Sequence, residues 1–584
     1  MHVIATAGHV DHGKSALLRA LTGMEPDRWE EERRRGLTID LGFVWTESER
    51  GPIAFVDVPG HERFVGNMLA GVGPVPAVLF VVAADEGWMP QSAEHLTALH
   101  ALGVSHGLLA VTKSDLLDPY LAAEDALERL RDTSLDGIPW VAVSARTGEG
   151  LAELRRALDD LVARLPPSDP SRPVRLWVDR GFTIRGAGLV VTGTLAAGTV
   201  RPGDTLELAR TGGRFVVREI QSLNHHVDAV AGVARVALNL RGAARGEVQR
   251  GDALLTPGSY RTTTVVDVRT RLCAPADLPR HLLVHVGTAT VGGTVRSLGA
   301  DTARLTLDAP LPLRVGDRVV LRHDRGVAGG AVALDVDPPR LTRRGAAQRR
   351  ADELAGYPDT PDGRGELRRR GVVREGTLRA IGVEPPGPAL AGDWLVDPEV
   401  AAGLRNRLAT LVADRARDAA AAPLPVEDAR KALGLPDVRL VSALLVPPLA
   451  VRNGMIVSGE APDTLAPAVR AALETLEQRV AGGFIVCSEA ELAAIGLRAA
   501  EIAAATRAGR MLRLAPDVVL ATVTVDRAVD LLAALPQPFT AGEAREALHT
   551  SRKVIVPLLE HLARKGVTRR LADGRHTVSA RSER

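Results

Sequence analysis

Gly8-His9-Val10-Asp11-His12-Gly13-Lys14-Ser15 is the most informative stretch of this chain. It fits G-x-x-x-x-G-K-[ST], the pattern of a loop whose backbone N–H groups wrap phosphates. Val3-Ile4-Ala5-Thr6-Ala7 ahead of it has the apolar run of a short buried strand. Ser15-Ala16-Leu17-Leu18-Arg19-Ala20-Leu21 behind it has the spacing of an amphipathic helix. A loop between strand and helix adds the positive end of the helix dipole to the N–H groups. Gly8, His9, Val10, Asp11, His12, Gly13, Lys14 and Ser15 are therefore predicted to bind a nucleotide. Lys14 is expected to reach the β- and γ-phosphates, and the Ser15 hydroxyl to ligate Mg²⁺.

Four further segments follow in the order such a site requires. Arg35-Gly36-Leu37-Thr38-Ile39 offers Thr38 as a second hydroxyl for the metal. Asp57-Val58-Pro59-Gly60-His61 follows the apolar strand Ile53-Ala54-Phe55-Val56. There Asp57 is expected to hold the metal through water, and the Gly60 N–H to sense the γ-phosphate. Thr112-Lys113-Ser114-Asp115 follows the strand Leu108-Leu109-Ala110-Val111. Asp115 can accept guanine N1–H and N2–H₂ together, a pair adenine does not present, so the expected ligands are GTP and GDP. Ser144-Ala145-Arg146 ends another strand, where a backbone N–H is expected to meet guanine O6. Each segment alone is an ordinary strand-end loop; five in sequence leave little room for accident.

At 584 residues the chain exceeds one core and is expected to hold several domains. A hydrophobic content of 45% and a charged content of 25% are ordinary for globular proteins. Cys273 and Cys487 lie far apart, which excludes a disulfide framework and metal-knuckle spacing and fits a reducing cytoplasm. Met1-His2-Val3 runs directly into the first strand, so no signal peptide is expected. No apolar run approaches the roughly 20 residues of a membrane helix. The net charge of +2 says little, but its distribution does: from Ala541 onward, ten Lys/Arg face five acids.

Strand and helix signals alternate to about residue 164, the pattern of a doubly wound α/β domain placed at 1–168. Leu165-Pro166-Pro167-Ser168-Asp169-Pro170 reads as a linker. From 172 to 341 short Val/Leu/Thr runs are punctuated by glycine, which predicts two β-barrels, 172–260 and 261–341, dividing near Tyr260. Past Pro338-Pro339 basic clusters appear, then Ala/Leu/Arg-rich helices with strand-like tails. Helices followed by a β-ribbon, recurring at roughly sixty residues, look like tandem winged-helix units. About four are placed in 343–584, the last at 523–584.

The motifs Gly8-His9-Val10-Asp11-His12-Gly13-Lys14 and Asp57-Val58-Pro59-Gly60-His61 resemble translational GTPases related to elongation factor Tu. That resemblance implies that His61 orients the attacking water, with Lys14 and Gly60 stabilising the transition state. The family's guanine motif usually begins with Asn; here it is Thr112, whose hydroxyl supplies only part of an amide's bracing. The added tail, Thr112 itself, Asn67-Met68-Leu69-Ala70-Gly71, Asp179-Arg180-Gly181-Phe182-Thr183-Ile184-Arg185-Gly186-Ala187-Gly188, Arg235-Val236-Ala237-Leu238-Asn239-Leu240 and Ser551-Arg552-Lys553-Val554-Ile555 are similar to the selenocysteine-specific elongation factors. The likeness spans nearly the whole chain and is weak between about 343 and 535.

The resemblance implies a pocket for the amino acid on a tRNA at Asp179, Arg180 and Arg235. A selenol ionises far more readily than a thiol, and two permanently charged guanidiniums favour that anion over serine or cysteine. It also implies that the last unit binds a messenger RNA hairpin, with Arg545, Arg552, Lys553, Arg569, Arg570 and Arg575 as candidates. The implied partners are selenocysteinyl-tRNA, the mRNA hairpin and the ribosome, for a cytoplasmic monomer. Competing readings are a general or initiator tRNA carrier, a GTPase-switched nucleic-acid-binding regulator, and a GTPase subunit of sulfate activation. The basic repeats count against the first, and the last leaves the tail without a purpose.

Overall fold

The computed structural model describes residues 1–26, 38–186, 188–324, 326–417, 422–458, 465–480, 483–515, 518–565, 567–571 and 574–578. Arg35, Gly36, Leu37 and Ala187, read above, lie outside the described residues, as do Asp573, Arg581, Glu583 and Arg584 among the charges counted from Ala541 onward. The chain divides into two compact units, Met1–Ala402 and Gly403–Arg584.

The first unit opens with β1 (His2–Ala7), α1 (Lys14–Thr22), β2 (Gly42–Thr46), β3 (Ile53–Asp57), α2 (Val65–Val72) and β4 (Ala77–Ala83). It continues with α3 (Pro90–Leu102), β5 (His106–Thr112), α4 (Tyr120–Leu130), β6 (Trp140–Ala142) and α5 (Leu151–Ala163). The sheet runs β2-β3-β1-β4-β5-β6. Only β2 is antiparallel to its neighbour, with Val44 opposite Phe55; Ile4 pairs in parallel with Phe55 on one side and Ala77 on the other. Every residue of β4 is buried, the continuous apolar run of a strand covered on both faces. One layer is packed by Met68, Leu69, Leu99 and Leu130, the other by Leu17, Leu18, Leu154 and Leu158. The strand order reverses between β1 and β4, and the loop 8–13 leaves β1 at that crevice, where open α/β sheets bind ligands.

Two antiparallel β-structures follow. The first contains β7 (Arg175–Ile184), β8 (Gly188–Leu195), β9 (Thr199–Val200), β10 (Thr205–Leu208), β11 (Arg214–Ser222), β12 (His225–His226), β13 (Val230–Ala231), β14 (Ala234–Arg241) and β15 (Ala253–Leu255). Its main sheet runs β10-β15-β7-β8-β14-β11-β12, and β10 also pairs with β11, which curls the sheet back on itself. β11 alternates buried and exposed residues over Phe215–Ile220, apart from the irregularity between Val217 and Glu219. The second is a closed barrel of β16 (Thr263–Arg271), β17 (His281–Val286), β18 (Ala289–Ser297), β19 (Thr302–Leu311), β20 (Arg318–His323) and β21 (Gly326–Asp335), in the order β16-β19-β18-β17-β20-β21.

The segment after the closed barrel holds α6 (Ala346–Ala355), α7 (Gly363–Arg370), β22 (Val372–Arg374), α8 (Glu375–Ala380) and β23 (Trp394–Val396). Leu367, Leu378, Ile381 and Leu395 share one apolar cluster with the barrel's Val268, Leu305 and Leu321. The arginines read above as basic clusters are partly consumed here. Arg304 and Arg350 reach the buried Asp267 at 2.6 and 2.7 Å. Arg350 and Arg369 both reach the buried Asp335, and Arg369 and Arg370 reach Glu366. Charges this deep persist only when paired, so the network welds the segment to the barrel.

The second unit repeats helices and a β-ribbon, three-stranded in the first repeat and two-stranded in the next two. After α9 (Pro398–Ala416), which crosses the division, come β24 (Leu424–Pro425), α10 (Val426–Leu433), α11 (Val438–Leu444), β25 (Leu449–Arg452) and β26 (Met455–Ser458). Next are α12 (Pro467–Val480), α13 (Glu489–Ala494), α14 (Ala499–Arg507), β27 (Met511–Ala515) and β28 (Val518–Ala521). Last come α15 (Thr522–Ala533), α16 (Ala541–Ala547), α17 (Arg552–Arg564), β29 (Thr568–Arg570) and β30 (His576–Val578). Capping boxes start α13 at Ser488 with Glu491 and α16 at Thr540 with Glu543. α17 buries Val554, Ile555, Leu558, Leu559 and Leu562, one stripe of a 3.6-residue period. The architecture is an α/β domain, two β-barrels and winged helices, as the pattern predicts.

Candidate functional site

The phosphate loop takes its shape from two glycines. Gly8 has φ +129°, and a Cβ there would stand 2.1 Å from the Val81 carbonyl oxygen; Gly13 has φ +79°. Lys14 is buried and folds back over the loop, its Nζ donating to the carbonyls of Gly8 at 3.0 Å and His9 at 2.7 Å. Gly60 rides on the same loop, so close that a Cβ would lie 2.5 Å from Lys14 Nζ and 2.6 Å from Val10 N. No side chain larger than hydrogen fits there without displacing the lysine.

Ser15, Thr38 and Asp57 converge. Ser15 Oγ donates to Asp57 Oδ2 at 2.6 Å and stands 2.9 Å from Thr38 Oγ1. Asp57 is fully buried, and Thr6 Oγ1 donates to its other oxygen at 2.8 Å. These are hard oxygen donors of the kind Mg²⁺ takes. The spacing of the two hydroxyls matches neighbouring ligands of an octahedron whose bonds are about 2.0–2.1 Å. Among the described residues no group of three His, Cys, Asp or Glu gathers, so hydroxyls must supply part of any such shell.

Around the predicted base site, Thr112 Oγ1 donates to the His12 carbonyl at 2.7 Å. The hydroxyl thus braces the phosphate loop with a single bond. Lys113, in the left-handed region at φ 57°, reaches Asp85 at 3.1 Å and Glu86 at 2.7 Å. Asp115 accepts from Ser144 Oγ at 2.5 Å and from Arg146 Nε and Nη2 at 2.8 and 2.6 Å. The Ser144 hydroxyl and then the Arg146 guanidinium hold its carboxyl below the usual range. Ser144 is buried, and Ala145 between it and Arg146 completes the turn after β6. A carboxylate has about four lone-pair sites, so with three taken Asp115 keeps one. Accepting both guanine N–H groups requires the exposed Arg146 to release a bond. His61 is placed differently. Its Nδ1 accepts from the Arg63 N–H at 3.2 Å and its ring lies 5.9 Å from Phe64, so it caps its own turn, Glu62–Phe64.

Two residues that the pattern reading passes over, His95 and Gln91, support the loop, and His12 within it makes a contact of its own. His95 on α3 is buried, and its Nδ1 accepts the Gly8 N–H at 3.0 Å. Gln91, one turn earlier, accepts the Val10 N–H at 3.3 Å. His12 places Nδ1 3.1 Å from the Val81 carbonyl. Burial pushes His95 down to about 3 and His12 to about 4, so both rings are neutral. A neutral ring is what His95 needs to accept a hydrogen bond. The i, i+4 pairing of Gln91 and His95 on one helical face is the only signal in the sequence.

Asp179, Arg180 and Arg235 come together at the face that the first barrel turns to the α/β domain. Arg235 grips Asp179 with both terminal nitrogens, the Nη2 contact at 2.7 Å, and Thr192 donates to Asp179 at 2.6 Å. Burial pushes the Asp179 carboxyl up, but Arg235, then the Thr192 bond, outweigh it and hold it below the usual range. Phe43 of β2 lies under the guanidiniums of Arg235 at 3.6 Å and Arg180 at 4.9 Å. A cavity of about 230 Å³ opens beside them, lined also by Glu25, Trp45, Gln221 and Asn224.

In the second unit the six predicted RNA-binding residues are all exposed. Arg545 sits on α16 beside Glu546 at 3.3 Å, and Arg552 and Lys553 open α17. Arg569 and Arg570 lie on β29, opposite Thr577 and His576 of β30, with Arg575 at the ribbon's return.

Comparison with known proteins places these features. Residues 1–164 match the Elongation factor Tu GTP binding domain family, 263–340 the Selenocysteine-specific elongation factor, beta-barrel domain family, and 530–577 the Elongation factor SelB, winged helix family. The selenocysteine-specific elongation factor of Escherichia coli (strain K12) is 40% identical over 353 residues, 59% of this chain and 56% of that protein. The chain thus spans about half the length of the curated relatives of that kind it matches. Elongation factor Tu 2 of Streptomyces avermitilis is 31% identical over 57% of this chain and 96% of that protein. The crystal structure of a bacterial selenocysteine-specific elongation factor EF-Sec aligns with a TM-score of 0.69 at 26% identity, over 99% of this chain and 100% of that one. The chain belongs to the translational GTPases related to elongation factor Tu, and its closed barrel and last winged helix are similar to those of the selenocysteine-specific elongation factors.

Proposed function

We propose that this chain is a GTP-hydrolysing elongation factor that carries selenocysteinyl-tRNA to the ribosome at recoded UGA codons. It works as a cytoplasmic monomer and binds an mRNA hairpin through its tail. Residues 1–168 form the GTP-binding domain, 172–260 and 261–341 the two barrels, and 343–584 about four winged-helix units, with the hairpin on 523–584. What carries the reading is one juxtaposition. The Arg180 and Arg235 guanidiniums flank Phe43, and Phe43 lies five residues beyond Thr38, whose hydroxyl stands 2.9 Å from Ser15.

The chemistry is positioning and charge stabilisation. The backbone N–H groups of 8–15 and Lys14 hold the phosphates, and Asp115, with Ser144, Ala145, Arg146, Thr112 and Lys113 around it, selects guanine. Ser15, Thr38 and Asp57 would hold Mg²⁺, Asp57 through water, and the metal would supply charge neutralisation at the phosphate oxygens. The Gly60 N–H meets the γ-phosphate. His61 leaves its cap on the Arg63 N–H to orient the attacking water. On the tRNA side, Arg180 and Arg235 favour a selenolate, and Asp179 holds Arg235 in place.

The test is a filter-binding comparison of selenocysteinyl-, cysteinyl- and seryl-tRNA with GTP present. Selective retention of the first is expected. Equal retention of all three would leave a general tRNA carrier instead.

A further inference from the structure

Between the nucleotide centre and the cationic pocket runs a short strap, residues 38–43. Thr38 stands at Ser15; the Ile39 carbonyl accepts from Asn67 Nδ2 at 2.8 Å; the Leu41 carbonyl accepts from Arg180; and Phe43 lies under Arg235 and Arg180. In the middle, Asp40 sends one carboxylate oxygen to Arg250 Nη1 at 2.9 Å and the other to within 3.4 Å of Arg180 Nη2. A carboxylate carried on the strap therefore sits at the guanidinium that is read as the seat of an anionic amino acid.

We propose that Asp40 is an internal occupant of this pocket, holding Arg180 and Arg250 until an anionic aminoacyl group on the incoming tRNA takes its place. The proposal rests on reading Arg180 and Arg235 as the amino-acid pocket. Burial separates the two carboxylates of the site. Asp179 is 4% exposed and gripped by Arg235, so removing either partner would strand a buried charge. Asp40 is 23% exposed and Arg180 17%, and that pair exchanges partners at little cost. An arriving selenolate can thus replace Asp40 at Arg180 while the Asp179–Arg235 pair stays intact. Asp40 is two residues from Thr38, roughly 7 Å of extended chain. Any shift of Thr38 at the nucleotide centre therefore reaches the carboxylate directly.

Asp40 raises the cost of entry for every charged tRNA alike, whereas Arg180 and Arg235 set the preference among them. Affinities of selenocysteinyl- and seryl-tRNA, measured with GTP on the full chain, separate the two roles. Asp40→Asn is expected to tighten both by a similar factor, roughly 2- to 30-fold from two partly exposed ion pairs, with their ratio kept. Asp40→Glu is expected to stay near the wild-type values, and an unchanged GTP affinity reports an intact fold. Unchanged or weaker tRNA binding by Asp40→Asn would overturn the proposal, the weaker case making Asp40 a direct ligand of the tRNA. If Arg180→Ala keeps the wild-type preference for selenocysteine, the pocket reading itself falls, and this proposal with it.

Discussion

His95 Nδ1 accepts the N–H of Gly8 at 3.0 Å, so the first residue of the phosphate loop is fastened to a helix 87 positions further along the chain. α3 also packs against β20 and β21 of the closed barrel. One helix therefore touches both the loop and the closed barrel of the first unit. His95→Ala leaves the Gly8 N–H unpaired in a dry place, at a cost of about 1–3 kcal/mol. Equilibrium denaturation should record that loss, and a nucleotide titration should show weaker GTP binding. His95→Gln, which keeps an acceptor, should recover part of both. Unchanged GTP affinity in the alanine variant would remove His95 from the loop's support.

Acid should destabilise the first unit through its buried imidazoles. Burial lowers His12 and His285 to about 4 and His95 to about 3. The unfolded chain takes up a proton at each near pH 6.5, and the folded state resists until pH 3–4. Their stabilising share is therefore complete above about pH 6.5 and declines, about 1.4 kcal/mol per pH unit for each, as the pH falls towards 4. His285 lies on the barrel, outside the nucleotide site. Replacing it with Gln should flatten the fall by one group's share, read from denaturant midpoints at a series of pH values. An identical slope would show that His285 does not titrate in this way.

His61 caps its own turn through the Arg63 N–H, so the role in hydrolysis proposed for it requires that it swing. His61→Ala should keep GTP affinity and slow ribosome-stimulated hydrolysis on the order of a hundredfold or more, the scale of a misplaced reactant. Rapid-quench measurement of phosphate release is the check. Hydrolysis at the wild-type rate would exclude His61 from orienting water.

On β29, Arg569 and Arg570 project from one strand of the last ribbon. Removing one arginine–phosphate ion pair should lower the slope of log affinity against log salt by about 0.7–0.9. The double alanine variant should bind the hairpin more weakly with a shallower salt slope, and bind GTP as before. A salt slope equal to wild type would move the RNA surface away from the ribbon.

Much of the nucleotide site is legible without coordinates because its chemistry is local. Gly8, Gly13, Lys14 and Ser15 sit in one strand–loop–helix step, and strand-end loops collect on one edge of a parallel sheet by topology alone. Thr38, Asp57 and Asp115 are found the same way, each by its place after a strand or within a motif. Thr112 is legible as a departure, though its single bond to the His12 carbonyl is a matter of tertiary geometry.

Local pattern along the chain is thus enough to specify the phosphate loop, the barrel strands, the amphipathic helices and the family to which their order belongs. Which residue stands across from which is settled only on folding. Asp40 meets Arg250 across 210 positions, Gly8 meets His95, and Arg350 and Arg369 are spent on buried Asp267 and Asp335 rather than offered to nucleic acid. Periodicity fixes which face a side chain takes within its own element. It carries no information on which distant element will cover that face, and it is the charge buried there that must find a partner.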